Sequence, residues 1–226
     1  MINAWSDNTY PWSFGDVSEG VLKYFRLRLR LLPYIYRTYA EFHRDGIPVT
    51  RNMELMYGDL TTRLTDDGHE EFRTQKLSFR REKTFVFENQ YFFGSVLLVA
   101  PLFKGETKRR VWLPDGIWYG FETGERFDGG RMIEYTPPED VIPVFVKDGT
   151  LIPTVEYTDR ASEPSEKVIV VPYGNTEGSS TYVYDDDGKT TSDEGVWIRL
   201  SVKNGKLERT GESKWHFRSF TLSPSL

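Results

Sequence analysis

The stretch DVSEGVLKYFRLRLRLLPYIYRTYAEFHRDGIPVTRNM, residues 16–53, decides how the rest of the chain is read. Val21, Leu22, Phe25, Leu29, Leu32, Tyr36, Tyr39 and Ala40 recur at helical spacing and make a wide apolar face. Asp16 with Glu19 has the form of a capping box. Arg26, Arg28, Arg30 and Arg37 interrupt the face with stems that can lie on apolar surface while their guanidinium groups stay in water. Gly46 is placed as the left-handed residue beyond the helix end, and Pro48 blocks continuation. Pro33 is the anomaly, because a proline inside a helix removes a donor and crowds a carbonyl at a cost of roughly 3 kcal/mol. The stretch is therefore one kinked helix, or two shorter helices meeting at Leu32-Pro33.

Upstream, MINAWSDNTYPWSFG carries polar turn formers and aromatics without a regular period, a loop leading into the helix. Asn3, Trp5, Asp7, Asn8, Tyr10 and Trp12 suit a ligand-binding loop, and Trp5 and Trp12 equally suit packing over the helix end. Downstream, Ile47–Tyr57 is β-compatible, and residues 58–90 are a charged, weakly periodic excursion with its best strand at Lys83–Phe87. His69, Glu70 and Glu71 are adjacent and cannot converge on one ion from a regular element, so a solvated loop is the better reading there.

From Tyr91 onward short strands alternate with turns, the pattern of an antiparallel β-sandwich. Gly94–Pro101 encloses an apolar strand. Lys108–Leu113 and Ile117–Phe121 flank Pro114-Asp115-Gly116 as a hairpin. Arg131–Thr136, Ile142–Val146 and Thr150–Val155 follow. Thr158–Lys167 is a polar seam, and beyond it Val168–Tyr173, Ser180–Tyr184, Val196–Val202 and Trp215–Leu222 are strands. Asn204-Gly205 is a type I′ turn signal. Asp185-Asp186-Asp187-Gly188 lacks the remaining oxygen ligands of a calcium loop and reads as a solvated turn.

The 226 residues suffice for one large or two small domains, and their formal net charge of −5 with no basic run argues against a nucleic-acid surface. The 15 Phe, 13 Tyr and 6 Trp suit sheet surfaces and sugar-binding clefts alike. Cysteine is absent, which excludes disulfides and thiolate chemistry. No run approaches a membrane span, and no charged or apolar leader follows Met1. A cytoplasmic location is favoured, unless this N-terminus is not the natural start.

Six segments in the same order resemble glycoside hydrolase family 31. LRLRLLPYIYRTYAEFHRDGIPVTR is similar to the family's last barrel helix followed by G-x-P-V-x-R, with Pro11-Trp12 as its upstream Pro-Trp. FFGSVLLVAPLF, RRVWLPDGIWYGFETGERFDGG, IPVFVKDGTLIP and YVYDDDG resemble its G-x-x-LLVAP strand, its LP-x-G-x-W-Y hairpin, its IPVFV-x-x-G segment and its Y-x-DDG turn. The resemblance implies a mainly β fold: antiparallel β-sandwich domains preceded by a long helix that is the remnant of a (β/α)8 barrel. Residues 1–50 would be that remnant, 51–160 a proximal β-sandwich carrying the polar insertion 58–90, and 161–226 a short distal β-domain. Pro33 then belongs to the family pattern, which favours the single kinked helix.

The resemblance further implies a retaining α-glycosidase acting on α-linked glucosides or related sugars, with two carboxylates roughly 5–5.5 Å apart and no cofactor or metal. Those aspartates lie on earlier barrel strands that these residues do not include, so no catalytic residue is assigned and the piece alone should be silent. The family's Arg-x-His-Gly-like segment is replaced here by Ile-Asn-Ala-Trp-Ser, leaving Asn3 to donate to a sugar hydroxyl and Trp5 to stack on its ring. Among partners, an α-glycoside is expected; nucleic acid and membrane are not. The alternative reading is a non-catalytic β-sandwich module that binds carbohydrate or supports oligomerisation; a binding protein for another ligand class rests only on the aromatic loop. If barrel strands once covered the helix, Val21–Ala40 should expose an unusually apolar patch.

Overall fold

A computed structural model describes Gly15 and residues 17–57, 89–158, 165–189 and 195–223. It is dominated by strands, and the chain divides into two compact units: Met1–Ala40 with Leu151–Leu226, and Glu41–Thr150.

The helical stretch is two helices, α1 (Ser18–Arg30) and α2 (Leu32–Asp45), not one kinked helix. Leu31 separates them at φ −81°, ψ 3°, off the helical basin, while its amide still reaches the Leu27 carbonyl. Pro33 consequently falls in the first turn of α2, where the missing amide costs no helical bond. The N-cap is Val17, with no side-chain cap bond; Asp16 of the expected capping box lies outside the described residues. Gly46 adopts φ 71° and its amide reaches the Phe42 carbonyl, as a helix stop requires.

In the Glu41–Thr150 unit, β1 (Thr50–Arg51) is only two residues long. The remainder of the expected β segment is instead a short helix, α3 (Met53–Tyr57), started by Asn52, whose Oδ1 accepts the Leu55 amide at 2.8 Å. The strands that follow are β2 (Tyr91–Phe93), β3 (Leu97–Val99), β4 (Arg109–Leu113), β5 (Ile117–Gly120), β6 (Arg126–Asp128), β7 (Arg131–Tyr135) and β8 (Val144–Lys147). One sheet has the order β1-β2-β3-β8-β5-β6, and the other is the pair β4-β7. Phe92, Leu98, Trp118 and Phe145 of the first pack with Val111, Trp112, Leu113 and Tyr135 of the second, which is the core of a sandwich. Most of the excursion 58–90, including Lys83–Phe87 and His69, lies outside the described residues.

The expected hairpin at Pro114-Asp115-Gly116 is not a hairpin. β4 pairs with β7, whereas β5 pairs with β6 and β8, so the turn carries the chain from one sheet to the other. Three bonds hold that corner: Trp118 Nε1 donates to the Pro114 carbonyl at 2.7 Å, the Gly129 amide to Gly116 at 2.7 Å and the Gly130 amide to Leu113 at 2.8 Å. A Cβ at Gly129 would collide with the Pro114 carbonyl oxygen, so the Gly129-Gly130 turn and the Pro-Asp-Gly corner are one packed feature.

In the other unit, β9 (Thr150–Val155), β10 (Lys167–Tyr173) and β14 (Ser219–Leu222) form one sheet, and β11 (Ser180–Asp185), β12 (Val196–Lys203) and β13 (Lys206–Thr210) form another. Leu151, Val168 and Val170 meet Val183, Ile198, Leu200 and Val202 between them. Pairing is antiparallel throughout β11-β12-β13, while β10 and β14 run parallel. Asn204 (φ 51°) and Gly205 (φ 67°) make the expected I′ turn, and it leads into β13, a strand absent from the sequence reading. The expected strand Trp215–Leu222 shortens to β14, because residues 213–217 are used otherwise.

Candidate functional site

Asn3 and Trp5, the residues expected to meet sugar, lie outside the described residues, as does the loop containing them up to Phe14. The helices that follow that loop are described. α1 buries none of its residues, and Phe25, Tyr36 and Tyr39 expose 42%, 43% and 55% of their surface. Of the face expected to be exposed, these three aromatics are exposed, whereas Leu31 and Tyr34 are buried and Val21, Leu22 and Leu29 are half-buried. Arg37 departs from expectation: it is buried, and its Nη1 donates to Thr181 Oγ1 of β11 at 2.8 Å. Its guanidinium also faces the Tyr34 ring, 5.6 Å from the centroid.

The Asp185-Asp186-Asp187-Gly188 segment gathers a network of polar contacts, and its members face different tasks. Asp185 is fully buried rather than solvated. Its Oδ2 accepts Ser213 Oγ at 2.6 Å and the amides of Lys214 and Trp215 at 3.1 Å each. Its Oδ1 accepts the His216 amide at 3.3 Å and lies 2.9 Å from His216 Nδ1. Ser213 Oγ in turn accepts the Phe217 amide, so residues 213–217 wrap around one carboxylate instead of extending as strand. Burial pushes the Asp185 carboxyl up, but the bonds from Ser213, Trp215 and His216 outweigh it and hold the group below the usual carboxylate range.

Asp186 points the other way. Both of its oxygens accept the Tyr36 hydroxyl of α2, at 2.7 and 2.6 Å, and Oδ1 also takes the Gly188 amide. The Tyr36 ring lies 5.8 Å from that of Tyr184, which lies 5.1 Å from Trp197. Partial burial, then the Asp186 bond, raise the Tyr36 hydroxyl far above the ordinary phenol range. Asp187 closes its own turn through the Lys189 amide.

This arrangement can bind and position, but it does not offer general acid–base chemistry. Asp185 has its lone pairs occupied and no open face, and Asp186 is engaged by a phenol that does not ionise near neutrality. Among the described residues no group of three or more His, Cys, Asp or Glu is placed to hold a metal ion. Among the described residues no helix is long and apolar enough to cross a membrane. The Tyr36–Asp186 pairing across 150 positions is what sequence reading missed. Its only signal was that each residue sat inside a recognisable motif.

The profile of the Glycosyl hydrolase family 31 C-terminal domain matches residues 68–152. Alpha-glucosidase 2 of Bacillus thermoamyloliquefaciens is 32% identical over 197 residues, covering 85% of this chain and 22% of that protein. The isomaltosyltransferase of Sporosarcina globispora is 36% identical over 150 residues, 63% of this chain and 12% of that protein. The crystal structure of a GH31 alpha-xylosidase from Xanthomonas citri superposes with a TM-score of 0.71 at 28% identity, over 96% of this chain and 23% of that one. The chain thus spans less than a quarter of the length of the relatives it matches. It belongs to glycoside hydrolase family 31, and the region of the family that it carries is the C-terminal one.

Proposed function

We propose that these residues serve an enzyme that cleaves α-glycosides by the retaining route, as the part that follows its catalytic barrel. The observation that carries this reading is collinearity: 85% of the chain aligns to 22% of an alpha-glucosidase. In retaining hydrolysis one carboxylate attacks the anomeric carbon, and the other protonates the leaving oxygen and then activates water. Asp185 and Asp186 are both committed to bonds within the fold, and in this reading the two carboxylates belong to the barrel strands. Within this reading residues 1–50 supply the last barrel segment, 51–160 the proximal and 161–226 the distal β-domain. Asn3 and Trp5 are the residues proposed to meet the sugar, by a hydrogen bond and by stacking on its C–H face. Substrates are α-linked glucosides or xylosides, and a sugar hydroxyl in place of water would turn the same glycosyl intermediate to transfer.

The coding sequence upstream of Met1 tests the proposal. An open frame continuous with Met1 and encoding an aspartate-bearing barrel is expected. A stop codon followed by a start at Met1 would overturn it and leave a β-sandwich module as the reading.

A further inference from the structure

Two motifs that the sequence presents separately turn out to be one contact. LLPYIY supplies Tyr36 and the adjacent Arg37; the Y-x-DDG turn and the strand before it supply Tyr184, Asp186 and Thr181. Tyr36 gives its hydroxyl to Asp186 and its ring to Tyr184, while Arg37 crosses to Thr181 at 2.8 Å. The Arg37 bond is buried, so water does not substitute for it, and the phenol–carboxylate bond is charge-assisted. α1, by contrast, has no fully buried residue.

We infer that the β11 edge and its Asp186 turn form a latch that fixes α2, making the C-terminal sheet the brace of the last helix of the catalytic part. That role for the helix rests on the function proposed above; the latch itself does not. Asp186, Tyr184 and Thr181 are positioning residues, acting through Tyr36 and Arg37 and not on any substrate. The C-terminal strands are then not an appendage. Their effect on α2 is specific to these side chains and separable from the sandwich core behind them.

Amide hydrogen exchange on the 226-residue chain tests this, comparing Tyr36→Phe, Asp186→Asn and the double variant, with Glu156→Gln at an exposed ion pair as control. Tyr36→Phe is expected to speed exchange in Tyr34–Asp45 by about tenfold while leaving Val196–Lys203 unchanged, as loss of one charge-assisted bond predicts, and Asp186→Asn, which keeps one neutral acceptor oxygen, by about threefold. The double variant should match Tyr36→Phe within about twofold, because Asp186→Asn only weakens the bond that Tyr36→Phe removes. Tyr36→Phe deletes one oxygen atom from a side chain 43% exposed, so it keeps the test decisive even if Asp186→Asn folds poorly. Unchanged exchange in α2, or a double effect equal to the product of the singles, would overturn the latch. Either result would leave the upstream-frame test of function untouched.

Discussion

Replacing Asp185 should be the most damaging single polar substitution in the unit formed by Met1–Ala40 and Leu151–Leu226. Its carboxylate is completely buried and gathers Ser213 Oγ, three consecutive amides and His216 Nδ1. In Asp185→Ala those donors keep their orientation and lose their acceptor. An orphaned buried donor costs about 1–3 kcal/mol, and residues 213–217 are partly exposed, so water recovers some of it. A net loss of about 3–4 kcal/mol follows, and about 2 kcal/mol for Asp185→Asn, which keeps one acceptor oxygen. With a urea dependence of about 2 kcal/mol/M, Asp185→Ala should lower the midpoint by about 1.5–2 M. Exchange of β11 and β12 peptides across the urea series reads this unit apart from Glu41–Thr150. The pH dependence has a definite sign. The folded carboxyl titrates below its unfolded value of about 3.9, so its contribution is complete above that pH and is lost as pH falls through the folded value. The gap between wild type and Asp185→Asn should therefore be constant near neutrality and close below about pH 4. A midpoint shift under about 0.3 M for Asp185→Ala, or a gap that widens in acid, would refute the carboxylate's role as the anchor of 213–217.

Four further substitutions, at three positions, probe the other unit. Gly129→Ala should cost about 3 kcal/mol, because its methyl meets a backbone carbonyl pinned by Trp118, whereas Gly124→Ala, with open space but φ 67°, should cost about 1 kcal/mol; thermal melts of both variants decide whether packing or backbone angle dominates. Gln90 is buried and acts as a surrogate strand residue for β4, accepting the Trp112 amide at 2.8 Å and donating to its carbonyl at 2.9 Å. Gln90→Leu should lower stability by about 2–3 kcal/mol in urea titrations, and Gln90→Glu should not rescue it, since it loses the donor and buries a charge.

Legibility in the sequence followed the range of the interaction that decides each element. Gly46, Asn204-Gly205 and the strands at 97–99, 150–155 and 180–185 depend on neighbours in the chain, and they stood out as such. The partners of β4 and β5 did not. A tight Pro-Asp-Gly turn between two apolar runs has the same local signature whether the strands pair or separate into facing sheets. The difference lies in Gly129, Gly130 and Trp118, which are near in space and not adjacent in sequence. β13 was hidden because it is an exposed edge with residues Lys206–Thr210 mostly polar, and the helix break fell at Leu31 because Pro33 is tolerated as a helix opener. Burial of Asp185 and Arg37 inverted the usual expectation for charged side chains, and only a partner 28 or more residues away explains each. The family resemblance added order to these segments but no contacts.

In the function proposed above, the catalytic pair lies outside these 226 residues. A fluorinated α-glycosyl fluoride, which traps the covalent glycosyl-enzyme of a retaining enzyme, tests it by intact mass and peptide mapping. No mass addition is expected on residues 1–226, and a single glycosyl addition N-terminal to them is expected in a polypeptide that includes the barrel. A stoichiometric glycosyl adduct on any carboxylate within the 226 residues would contradict it.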